Sequence, residues 1–88
     1  MKFAVIDGNA VTSMEDIHKM LAQQLAFPEW YGNNLDALHD VLTDCCEKTV
    51  IAITDLPLLE EHLGDYAVYF QRVLHDCAQE NPHLRILQ

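Results

Sequence analysis

Thr49-Val50-Ile51-Ala52-Ile53-Thr54 is an uncharged run of six residues, five of them β-branched. Such side chains lose rotamer freedom in a helix and pack well on a pleated surface, so the run reads as a strand. With no polar alternation, it reads as a strand buried on both faces, as in a parallel sheet. Working outward, Lys2-Phe3-Ala4-Val5-Ile6-Asp7 is a second short strand, closed by the turn signal Asp7-Gly8-Asn9. His83-Leu84-Arg85-Ile86-Leu87 is a third. Helical segments separate all three, and strands so separated pair in parallel through right-handed crossovers. The expectation is an α/β domain spanning residues 1–88: a small three-stranded parallel sheet, with the 49–54 strand central, packed by about four helices.

The helices declare themselves by capping residues and spacing. Ser13 stands three residues before Asp16, close to a capping box, and Ile17, Met20, Leu21 and Leu25 recur at helical intervals. A helix over 14–25 follows, which Phe27-Pro28 is expected to end, because proline pushes its predecessor out of the helical region. Pro28 to Asn33 is a loop carrying Trp30 and Tyr31. A second helix opens at Asn33 or Asn34 and runs to about Asp44. Asp55 is expected to cap a short third helix with Pro57 in its first turn, stopped by Gly64. Asp65 is expected to cap a longer fourth, with Ala67, Phe70, Val73, Leu74 and Cys77 on its apolar face.

Fourteen acidic residues against five basic ones give a net charge of −9, while half of the chain is apolar. That balance excludes a disordered acidic tail and any grip on a phosphate backbone, which is built from lysine and arginine. No apolar stretch approaches the roughly 20 residues that a membrane span needs. Three cysteines, Cys45, Cys46 and Cys77, with no CxxC spacing fit reduced thiols better than a disulfide framework. Met1 is followed at once by strand-like sequence rather than by a leader, so the expected location is cytoplasmic.

The negative charge is concentrated. Between Glu29 and Asp65 there are nine acids against Lys48 alone, so nearly all of the net charge falls in the middle of the chain. On the second helix Asp36, Asp40 and Asp44 form one stripe at i, i+4 and i+8, opposite Leu35, Leu38, Val41 and Leu42. Like charges at that spacing destabilise a helix by roughly 0.2–0.5 kcal/mol per pair, and no lysine or arginine is interleaved to offset them. An acidic stripe alone is most simply a solvated face. Here the loop before it adds Trp30, Tyr31 and Gly32, and rigid aromatics beside fixed carboxylates are the makings of a patch for a cationic partner.

The stretch Leu25-Ala26-Phe27-Pro28-Glu29-Trp30-Tyr31-Gly32-Asn33-Asn34-Leu35-Asp36-Ala37-Leu38-His39-Asp40-Val41-Leu42 resembles the signature of the barstar family, intracellular protein inhibitors of secreted bacterial ribonucleases. The pattern is Leu-Pro-Glu-aromatic-Tyr-Gly, one variable residue, then Asn-Leu-Asp-Ala-Leu, here with Phe27 in first place. The likeness extends loosely to Ala4-Val5-Ile6, Gly8 and Asp16-Ile17-His18, and beyond residue 45 it is one of element order. The resemblance implies a barstar-like fold and blockade of a ribonuclease active site rich in basic residues. It implies that Asp40 takes the place of a substrate phosphate and that Asp36 is the second acidic contact. Trp30 replaces a tyrosine that packs on the catalytic histidine. Gly32 and Asn34 match loop contacts beside Tyr31, and Thr43 and Asp44 follow at the rim. His39 and Cys45 depart from the family pattern, each standing where it has a tryptophan. The fourth helix of the family supplies glutamates to the interface, and the nearest positions here read as His75 and Gln79.

The partner so implied is a basic ribonuclease of extracellular or toxin type, with no nucleic acid, membrane, cofactor or metal, and the free chain is expected to be monomeric. The alternative is an immunity or interaction module for a different basic toxin or protein. An enzyme is disfavoured: His39–Asp40 and His75–Asp76–Cys77 are helix neighbours about 100° apart and do not face one another. Cys77 falls on the apolar stripe as a core residue, and Cys45, Cys46 and His62 lack a metal-ligand spacing. His18 and His62 are expected at the surface.

Overall fold

A computed structural model describes residues 1–88. Its elements, in chain order, are β1 (Lys2–Asp7), α1 (Met14–Leu25), α2 (Leu35–Thr43), β2 (Thr49–Thr54), α3 (Leu56–Leu63), α4 (Asp65–Glu80) and β3 (Leu84–Leu87). The three strands form one parallel sheet in the order β1-β2-β3, with Ala4 opposite Ile51 and Ile51 opposite Ile86. The expected α/β architecture and central 49–54 strand are both present.

One expectation about the sheet fails. Thr49, Ile51 and Ile53 are buried, as are Ala4, Ile6 and Leu84 beside them, but the alternate residues are not. Phe3 is 50% and Leu87 45% exposed, and Val5, Val50 and Ala52 are only half-buried. β2 is therefore covered on one face. The cause is topological: two right-handed crossovers that step in the same direction, β1 to β2 to β3, place their helices on the same side. The covered face joins Ile17, Leu21, Leu38, Leu42, Phe70 and Leu74 in a single core. At the outer edge of β1, Gln24 of α1 accepts from the Val5 N–H at 2.8 Å and donates to the Val5 carbonyl at 2.9 Å, occupying backbone groups that an edge strand would leave free.

Local chemistry explains the helix ends. The Asp16 N–H donates to Ser13 Oγ at 3.3 Å, and the Asp16 carboxylate accepts from the Thr12 N–H and hydroxyl, both at 3.0 Å. α1 ends at Leu25, before the Phe27-Pro28 pair, because Ala26 turns left-handed with φ of 54°. Asp55 precedes α3 but its side chain caps nothing; it too is left-handed, and its carbonyl accepts from the Leu58 and Leu59 amides. α4 begins at Asp65 itself, with Gly64 as the residue before it. Gly8 ends β1 under α3, where a Cβ would run into the Asp55 carbonyl oxygen and the Leu59 amide.

The candidate inhibitory face

The loop between α1 and α2 is anchored from beneath. Phe27 and Tyr31 pack ring against ring with centroids 4.8 Å apart. Tyr31 Oη lies 2.6 Å from Nδ1 of His18, whose Nε2 lies 2.7 Å from Oη of Tyr66 on α4. His18 is only 1% exposed, which corrects its expected surface position. It sits three and seven residues before Leu21 and Leu25, on the apolar stripe of α1, so the spacing held the signal. Burial pushes the imidazole pKa below its usual 6.5 and both phenols upward. A neutral ring donates from one nitrogen and accepts at the other, so it joins one tyrosine as donor and the other as acceptor. Tyr31 thus serves as an internal anchor, its side chain buried, and lies beneath the surface on which the sequence reading placed it.

Above that anchor Trp30 stands 77% exposed. Asn33, left-handed at φ of 55°, turns the chain into Asn34, the N-cap of α2. Asn34 Oδ1 accepts from the Ala37 N–H at 2.8 Å, and its Nδ2 donates to the Gly32 carbonyl at 3.3 Å. One side chain therefore fixes both the loop and the first turn.

α2 turns Leu38 and Leu42 into the core and leaves Asp36, Asp40 and Asp44 exposed. Asp44 is the C-cap and is still right-handed, so the stripe continues to the helix end. The Asp40 side chain is 82% exposed. The ion pairs of the molecule are Met1 and Lys2 with Glu47, and the His39 ring lies between the carboxylates of Asp40 and Glu80. No lysine or arginine neutralises the stripe. Thr43 is half-buried and donates from Oγ1 to the His39 carbonyl at 2.8 Å. Asn81, buried at the end of α4, donates to the carbonyls of Leu42 and Cys45 at 2.8 and 2.9 Å and ties down the last turn of α2.

The sequence reading missed a contribution from α4. His39 lies between two carboxylates, with Nδ1 3.9 Å from Asp40 and Nε2 3.4 Å from Glu80. Beneath them the Cys77 thiol is pushed up to about 11, first by burial and then by Glu80, Asp76 and Asp40. Glu80 is thus an acidic residue that α4 brings up to His39 beside Asp40. No three His, Cys, Asp or Glu side chains are arranged to hold a metal ion.

The profile described as Barstar (barnase inhibitor) matches residues 1–87. The chain belongs to the barstar family. The match runs well past Leu42, where the motif by itself stops. A Bacillus subtilis (strain 168) protein named "Putative ribonuclease inhibitor YrdF" is 32% identical over 81 residues, covering 91% of this chain and 89% of that protein. Barstar-family proteins are inhibitors rather than enzymes, and the family supports ribonuclease inhibition as the general role. No helix is long and apolar enough to cross a membrane.

Proposed function

We propose that the protein inhibits a small basic ribonuclease by seating the α2 stripe and the Trp30 loop in its active site, Asp40 standing where a substrate phosphate would lie. The supporting observation is that Asp36, Asp40 and Asp44 are all exposed, that Asp40 and Asp44 border the same cleft as the exposed Trp30 indole, and that none of the three has a lysine or arginine partner. Carboxylates held by a capped and tethered helix lose little freedom on binding. An active site that binds RNA gathers cations, and their mutual repulsion is relieved when fixed anions enter. Opposite charge also steers the encounter. Gly32, Asn34, Asp36, His39, Thr43 and Asp44 complete the contact surface, Tyr31 supports it from within, and Glu80 extends it onto α4.

The test is inhibition of RNA cleavage by a small basic bacterial ribonuclease. Asp40→Ala should weaken inhibition more than Asp44→Ala, with both variants folded by circular dichroism. Equal losses would remove Asp40 as the anchor. Binding without any loss of cleavage would favour an interaction module instead.

A further inference from the structure

Beside the Trp30 indole, between the end of α1 and the C-terminal end of α2, lies an open cleft of about 430 Å³. Its floor is apolar, formed by Leu25, Phe27, Pro28 and Val41, and Asp40 and Asp44 stand on its α2 side. The space exists because Ala26, Cys45 and Cys46, which also border it, are small. Lys2 reaches the cleft as well, but it is engaged: Nζ donates to the Leu25 carbonyl at 3.0 Å and lies 3.8 Å from Glu47. Asp40 and Asp44 are left without a lysine or arginine.

We propose that this cleft, at the edge of the inhibitory face, takes one arginine side chain of the partner protein, an inference that rests on the inhibitor reading above. Its volume suits a long side chain with accompanying water. An apolar plug would strip water from two carboxylates and give nothing back, whereas a cation compensates them. Among cations, guanidinium fits best. Its stem lies on the apolar floor, its plane stacks on the indole, and its fork of donors serves two carboxylates one helical turn apart. A lysine ammonium is more strongly hydrated and has no plane to stack.

Cys46→Trp fills the cleft from an exposed position, and Asp44→Asn removes one charge without changing shape. Against a small basic bacterial ribonuclease, each should weaken inhibition about tenfold, as expected for loss of one anchoring side chain. The free, isotope-labelled protein should also be titrated with N-acetyl-arginine-N-methylamide and with its neutral citrulline analogue. The arginine compound should move the amide resonances of Val41, Cys45 and Cys46 and the Trp30 indole N–H, and the citrulline compound should not. Cys46→Trp that inhibits as well as the native chain overturns the subsite while leaving the inhibitor reading intact. Equal responses to the two compounds, or none in the cleft, overturn it as well. If the native chain inhibits no basic ribonuclease, the inhibitor reading fails and the titration alone decides the cleft.

Discussion

His18 joins the functional loop to the body of the molecule, and its chemistry makes the fold sensitive to acid. Its pKa is lowered by burial from the ordinary 6.5, so between the folded value and 6.5 the unfolded chain binds more protons than the folded one. Its contribution to stability is therefore complete above about 6.5 and is lost as the pH falls through that window. Protonation would also make both ring nitrogens donors, leaving one tyrosine hydroxyl without its acceptor. We expect His18→Gln to reduce the difference between urea midpoints measured at about pH 7.5 and about pH 5, an unchanged difference counting against this role. Legibility at this scale was uneven. Ser13 and Asn34 could be placed because a cap acts on the amides next to it in sequence. The helical spacing of His18 already pointed inward, but the two hydroxyls that make a buried imidazole tolerable lie 13 and 48 residues away, out of reach of a local reading.

Among the elements, α2 combines an apolar face that fixes its seat with an acidic face that weakens it. Its stability must come from elsewhere, from the Asn34 cap at one end and Asn81 at the other. Asn34→Ala should cost about 1 kcal/mol in urea unfolding and should also weaken inhibition, since the same side chain holds Gly32. A loss of stability with inhibition untouched would separate the cap from the loop. The stripe itself was legible because periodicity within one helix decides which residues share a face. The place of Glu80 was not, because it depends on how α4 packs against α2. The bare sheet face could have been read. A central β2 with right-handed crossovers on both sides already puts all the helices on one side of the sheet, and an unbroken apolar run does not by itself show that both faces are covered.

Across the molecule, charge and topology divide the labour. The parallel sheet and the helices on its covered face form the base, and α2 presents Asp36, Asp40 and Asp44 to solvent, with Asp40 and Asp44 bordering the same cleft as Trp30. This arrangement has no need of reacting groups; what it requires is that the anions be fixed before the partner arrives. The claim that they substitute for RNA phosphate is tested most directly by competition. Inhibition of a small basic ribonuclease should be measured at increasing concentrations of a short non-cleavable oligonucleotide that occupies the enzyme's active site. The apparent inhibition constant is expected to rise linearly with the oligonucleotide concentration, with no complex containing all three molecules. An inhibition constant indifferent to the oligonucleotide, or a stable ternary complex, would contradict it.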